Sequence, residues 1–230
     1  MGVITISRQF GSEGRAVGKK VAEALDYLYV DSQLIEQVAR EAEVSVEAVE
    51  HFDEHPENRM VRLIKSFLSP VYKEDLTEDE RTQIKDLAAS TSEKTPRRFG
   101  LTEQRYLQII QRVMERLQGR GDAVMMGRGS FAFLATKPET LHVRIVASRE
   151  WRMKMIMDQK GITREEADGQ IGEVDLQRKE YIRRHYKIDW SLPGRYHLVL
   201  NTGKIGVDTA SHLIIESARS LFSKSSSGQQ

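Results

Sequence analysis

Gly11, Ser12, Glu13, Gly14, Arg15 and Ala16 follow a short β-branched run and precede an amphipathic pattern, in the stretch ITISRQFGSEGRAVGK at residues 4–19. Strand, glycine-rich turn and helix start are the parts of a phosphate-binding loop. In such a loop backbone N–H groups and the helix dipole receive the anion. The standard spacing is G-x-x-x-x-G-K-[ST]. With Gly14 as its second glycine, Gln9 takes the place of the first, Arg15 that of the lysine and Ala16 that of the hydroxyl. Arg15 keeps the positive charge as a planar fork instead of a compact ammonium. Ala16 cannot hold magnesium; Ser12 or Ser7 could, and the spacing does not choose between them. Taken alone, Gly11 and Gly14 also read as a tight βα turn.

A second cation stands in VMMGRGSFAFL, residues 124–134, where Arg128 is set between two glycines after an apolar run. Ligands of open α/β sheets sit beyond the carboxyl ends of the strands. An arginine there is placed to grip a phosphate through two parallel hydrogen bonds. Further on, Arg152 follows a Ser148 helix cap. Arg164, Arg178, Arg183 and Arg184 are then interleaved with acids in GITREEADGQIGEVDLQRKEYIRRHYK. Thr163 with Glu166 forms a capping box, and Asp175 stands three residues before Arg178 on one helical face. Any one of these arginines reads as a solvated surface residue. Together they lie where a closing lid would bring charge over a polyphosphate.

The elements that must position these residues follow from periodicity. Residues 3–7, 27–30, 123–126, 141–146 and 197–200 read as strands, and residues 15–25 as a helix whose Val17, Val21 and Leu25 share a face. A long, mostly helical stretch covers about 32–117, with a polar centre at about 70–99. In its last helix Leu107, Ile110, Met114 and Leu117 form a stripe, Thr102 is the N-cap and Gly119 the stop. An Arg-rich helical segment covers 151–187, and a final amphipathic helix 208–222. Short apolar strands alternating with helices predict an α/β fold with a parallel sheet covered on both faces. The expected organisation is one domain over residues 1–222, with a helical insertion at about 32–118, a lid at about 151–190 and a frayed tail at 223–230.

Composition narrows the function classes. Lys plus Arg number 35 against 34 for Asp plus Glu, so no global charge points to nucleic acid or membrane. The acids between the arginines of the lid segment would also cancel most of the attraction that nucleic-acid binding needs. No cysteine is present, which excludes disulfides and thiolate metal sites. No segment has the length and hydrophobicity of a membrane span. The opening MGVITIS has neither a charged n-region nor an apolar h-region, and the expectation is a cytoplasmic protein. The oligomeric state is open, and a homodimer is compatible with it.

The chain resembles the cytidylate kinase-like family, a branch of the P-loop nucleoside monophosphate kinases. The resemblance is carried by ITISRQFGSEGR and GKKVAEAL, by YLYVDSQLIEQVARE, by VMMGRGSFAFL, and most specifically by ASREWRMK, ITREEA, EVDLQRKEYIRRHY and YHLVLNTGKIGVDTA. It implies a three-layer P-loop fold with five parallel strands in the order 2-3-1-4-5, a helical acceptor-binding region and an Arg-bearing lid. It further implies ATP and Mg²⁺, and a nucleotide or nucleotide-like acceptor. On the donor side it points to residues 11–16 with Arg152 and the turn Asn201, Thr202 and Gly203. On the acceptor side it points to Asp31, Ser32, Arg128, Asp175 and Arg178, and among catalytic arginines to Arg15, Arg178 and Arg183. The chain departs from true cytidylate kinases in the loop lysine and hydroxyl, and in the acid after Arg128, which is here Gly129. Two functions are therefore expected from these residues: an ATP-dependent phosphotransferase, or a nucleotide-binding regulatory or structural protein without kinase activity.

Overall fold

The computed structural model describes residues 2–31 and 103–226. The chain divides into two compact units, Met1–Ser32 with Leu117–Gln230, and Gln33–Arg116; the sheet and all the contacts below belong to the first. Ser32, Thr102 and the polar stretch at about 70–99 lie outside the described residues.

In chain order the elements are β1 (Val3–Arg8), α1 (Gly14–Leu25), β2 (Leu28–Asp31), α2 (Glu103–Arg120), β3 (Ala123–Met126), α3 (Ser130–Phe133), β4 (Thr140–Val146), α4 (Arg149–Lys160), α5 (Arg164–Tyr186), β5 (Leu198–Asn201) and α6 (Thr202–Ser226). The five strands form one sheet in the order β2-β3-β1-β4-β5. Every pair is parallel, and Ile6 of β1 lies opposite Met126 of β3 and Val143 of β4. The apolar runs that predicted strands buried on both faces are so buried: all four residues of β3 and the first six of β4 are inside. Ile4, Ile6, Val124, Met126, Val143 and Ile145 form one face of this core. Val17 and Val21 of α1 and Ile214, Ala218 and Phe222 of α6 cover them.

Boundaries shift where chain geometry overrides pattern. β2 and β5 each start one residue later than their apolar runs suggest, because Tyr27 N–H and His197 N–H bond to Ala22 and His142 carbonyls at the strand entries. Helix α2 runs past Gly119 to Arg120. Gly121, at φ 74°, donates to the Leu117 carbonyl and is the actual stop. The Arg-rich segment is two helices parted at Gly161 (φ 66°). Ser148 caps the first, and Thr163 with Glu166 caps the second as a complete capping box. The last helix starts at Thr202, earlier than expected, with a non-helical break at Gly206.

Candidate functional site

The loop between β1 and α1 is shaped by its glycines. Gly11 has φ 76°, and a Cβ there would come within 2.8 Å of Ile156 Cδ1; a Cβ on Gly14 would come within 2.6 Å of Arg8 Cβ. Glu13 caps α1 at φ 53° without a side-chain hydrogen bond. Ser12 is fully buried and donates its hydroxyl to the Gln9 carbonyl at 2.8 Å. Thr202 donates to the Ser12 carbonyl at 2.8 Å and so fastens the loop to the start of α6. Beside it, Gly203 lies under the Trp151 indole, where a Cβ would come within 3.1 Å of Cγ. Asn201 Oδ1 is buried without a hydrogen-bond partner among the described residues.

Arg15, half exposed on the first turn of α1, reaches toward the end of β2, with Nη2 3.7 Å from Asp31 Oδ2. A residue expected on the donor side thus meets one expected on the acceptor side. Ala16 is exposed on the same turn.

Helix α5 is tied to the loop through one carboxylate. Asp175 accepts from the Phe10 amide at 2.8 Å and from Arg152 Nη1 at 2.6 Å, and Arg178 Nη1 stands 4.0 Å away. Arg152, its side chain 6% exposed, also donates to the Phe10 carbonyl at 3.1 Å. Both backbone groups of Phe10 are therefore held by side chains of α4 and α5.

Beyond the carboxyl ends of β1 and β3 lies a cavity of about 340 Å³. Its cationic lining is Arg8, Arg128 and Arg178. Ser7, Gln177 and Tyr181 add polar groups, and Ile6, Phe131, Ile182 and Trp190 form apolar walls. Among the described residues no acidic side chain is in the lining, and neither are residues 11–15 of the loop. Arg178 donates to the Arg8 carbonyl at 3.0 Å, and burial pushes its guanidinium below the ordinary value. Burial pushes Arg8 down to about 10, and the Arg178 charge pushes the same way.

Arg128 is held at φ 50° between Gly127 (φ 87°) and Gly129 (φ 72°). A bulky residue adopts this region only where its surroundings over-determine it. Tyr186 does part of that by donating to the Arg128 carbonyl at 3.1 Å. A Cβ on Gly129 would lie 2.2 Å from the Tyr186 ring. The missing acid at 129 thus has a steric reason: the ring of α5 fills the space that a side chain would need. The Arg128 guanidinium lies 5.5 Å from the centre of the Tyr181 ring.

Of the sequence-predicted residues, Arg128 and Arg178 come together in this cavity. Asp175 and Arg152 pair behind it at the loop. Arg183 and Arg184 are exposed and outside the lining. Sequence reasoning missed two arginines. Arg8 stands at the carboxyl end of the central strand, one place before the loop spacing begins. Arg144, buried in β4, lies 4.5 Å from the Trp190 ring centre, donates to the Trp190 carbonyl and reaches Tyr196 Oη at 3.2 Å. A cation inside the apolar run VRIV was the visible signal for the second. Among the described residues no group of three or more His, Cys, Asp or Glu could hold a metal ion, and no helix is long and apolar enough to cross a membrane.

A glycine loop between the central strand and α1, within a parallel 2-3-1-4-5 sheet, defines the α/β fold of the P-loop kinases. The chain belongs to the cytidylate kinase-like family, whose match spans residues 3–204. A solved structure of an uncharacterized protein from Eubacterium ventriosum is similar to it at 18% identity and TM-score 0.65, over 96% of this chain and 99% of that one. Shikimate kinase from Acinetobacter baumannii in complex with shikimate aligns at 13% identity and TM-score 0.46, over 96% and 94%. Shikimate kinase from Bacteroides thetaiotaomicron aligns at 9% identity and TM-score 0.44, over 95% and 98%. None of the curated proteins matches the sequence significantly.

Proposed function

We propose that the protein is an ATP-dependent phosphotransferase acting on a nucleoside monophosphate-like acceptor. The observation that carries this reading is a cavity at the carboxyl ends of β1 and β3 whose described lining holds Arg8, Arg128 and Arg178 and no acid, in a chain of the cytidylate kinase-like family. Three guanidiniums around a space with apolar walls suit an anionic group attached to a less polar body. On this reading Arg128 and Arg178 hold the acceptor phosphate, and the loop amides of residues 11–16 with Arg15 hold the donor's β- and γ-phosphates. An acceptor phosphate oxygen attacks the γ-phosphorus, the bond to the β,γ-bridging oxygen breaks, and ADP leaves. The protein supplies alignment and charge neutralisation and little covalent chemistry. Magnesium neutralises the polyphosphate when bound. The Ser12 hydroxyl oxygen, whose proton goes to the Gln9 carbonyl, would be the loop's own group for holding it, beside the nucleotide's oxygens. Helices α4 and α5 act as the lid, and Asn201, Thr202 and Gly203 form the turn beside the donor base.

One observation favours a second reading, a nucleotide-binding protein without transferase activity. The Asp175 carboxylate occupies the Phe10 amide of the loop, where a catalytic loop keeps its N–H groups for phosphate. A coupled assay of ADP formation from ATP, run across the nucleoside monophosphates with and without magnesium, separates the two. Acceptor-dependent ADP supports the transferase, whereas binding of both nucleotides without ADP supports the second reading.

A further inference from the structure

The Asp175 carboxylate sits among donors that suit an oxyanion. Its Oδ1 accepts from the Phe10 amide and its Oδ2 from Arg152 Nη1, while Arg178 Nη1 stands 4.0 Å from Oδ1. A loop amide and two guanidiniums converging on one pair of oxygens is an anion-binding donor set. One carboxylate does not satisfy all of it. Arg152 is buried, and its Nε has no hydrogen-bond partner among the described residues. A buried donor left idle is costly, and a phosphate, with more oxygens than a carboxylate, offers an acceptor for it. The loop is also held here by packing. Phe10 lies against the cluster of Met153, Ile156, Ala167 and Ile171 from α4 and α5, and Gly11 has no room for a Cβ beside Ile156. The Phe10 amide and Arg152 are thus fixed independently of Asp175. The carboxylate is the movable part, because its side chain is 19% exposed where that of Arg152 is 6% exposed.

We propose that Asp175 is an autoinhibitory plug. In the free protein its carboxylate fills the oxyanion position between the Phe10 amide and Arg152, and a phosphate of an incoming nucleoside triphosphate displaces it. That this phosphate belongs to the donor rests on the transferase reading; the plug itself rests on the contacts of Asp175. The exchange replaces carboxylate oxygens by phosphate oxygens on the same donors, so the Phe10 amide keeps an acceptor. The contact that favours a protein without transferase activity thereby becomes a resting state that ATP has to open. Asp175 belongs to α5, so its displacement also releases α5 from the loop and couples donor arrival to lid movement. The sign of the effect is diagnostic. Removing an acid that held a substrate would weaken binding, whereas removing a plug strengthens it.

The test uses the full chain, as wild type and as Asp175→Asn, titrated calorimetrically with ATP and with tripolyphosphate and melted without ligand. Asparagine keeps an oxygen for the Phe10 amide but removes the charge, and a charge-assisted hydrogen bond is roughly twice as strong as a neutral one. Asp175→Asn is expected to melt lower than wild type and yet to bind both ligands roughly three- to tenfold more tightly. A carboxylate with only a structural role lowers the Tm and brings no gain in affinity. A measurement on wild type alone stands even if Asp175→Asn does not fold. The carboxyl-carbon resonance of Asp175, assigned by NMR, is expected to shift on addition of ATP as the carboxylate leaves Arg152. The proposal is overturned if Asp175→Asn binds either ligand no more tightly than wild type, if neither protein binds them, or if that resonance stays in place at saturating ATP. Tighter ATP binding by Asp175→Asn, in a chain that forms no acceptor-dependent ADP, would uphold the plug and sink only the transferase reading.

Discussion

The Asp175 carboxylate accepts from the Phe10 amide at 2.8 Å across 165 residues of chain, and the same carboxylate pairs with the buried Arg152 at 2.6 Å. One side chain of α5 thereby joins the loop, α4 and α5. Removing it leaves Arg152 buried without its counter-charge, which typically costs about 3–5 kcal/mol. Asp175→Ala is expected to lose stability on that scale. Asp175→Asn should lose less, since its amide oxygen still accepts from Phe10. Denaturant midpoints of both variants equal to wild type would show that the clamp contributes nothing.

If α4 and α5 act as a lid, this clamp is what a bound nucleotide rearranges. Amide hydrogen exchange across Arg149–Lys160 and Arg164–Tyr186 should change when a nucleotide pair is added. An unchanged profile contradicts the lid.

Gly129 is expected to tolerate no side chain. Gly129→Ala pays for a left-handed backbone, about 1–2 kcal/mol, and for displacing the Tyr186 ring that its Cβ would approach to 2.2 Å. In a Tyr186→Ala background only the backbone part should remain. The double mutant is therefore expected to lose less stability than the two single losses added together, and strict additivity would refute the steric account.

Much of this was legible in advance, and the remainder was not, for a physical reason. The strands announced themselves because a sheet covered on both faces needs continuous apolar runs, as in AVMM and TLHVRIV. The capping box at Thr163 and Glu166 is local chemistry with a fixed spacing. Arg128 was visible because glycines on both sides permit its backbone. Arg8 was hidden because its meaning depends on Arg178, 170 residues later. Gly129 read as a lost acid until the Tyr186 ring appeared beside it. Periodicity reports which face of an element is buried, not which distant side chain fills the space next to it.

His142 makes stability depend on pH. It is buried in β4 with Thr5 Oγ1 2.7 Å from its Nδ1 and the His197 ring stacked at 5.1 Å. Burial, and then the His197 charge, lower it from 6.5 to about 4. Because the unfolded chain takes up the proton first, the contribution is complete above about pH 6.5 and is lost as pH falls toward 4. The full loss is roughly 3 kcal/mol. Urea midpoints between pH 4 and 7.5 should slope upward more steeply for wild type than for His142→Gln. Parallel slopes would contradict the assignment, since the carboxylates common to both cancel in the difference.

Arg15 stands in for the loop lysine on the present reading, and the competitors are Lys19 and Lys20. Lys20 is engaged with Asp208 of α6 at 2.5 Å. Arg15→Ala should weaken ATP binding by about 1.5–3 kcal/mol, while Lys19→Ala and Lys20→Ala change it little. Calorimetric titration that finds Lys19→Ala crippled and Arg15→Ala intact would overturn the loop register.

The central claim is that this chain moves a phosphoryl group, and the direct measurement is single-turnover transfer of labelled γ-phosphate from ATP to a nucleoside monophosphate, in wild type and Arg178→Ala. The account predicts labelled acceptor in wild type and a loss of at least tenfold in Arg178→Ala, the guanidinium that lines the cavity beside Arg8. Label that stays on ATP or appears only as free phosphate with every acceptor, while both nucleotides are bound, would contradict it.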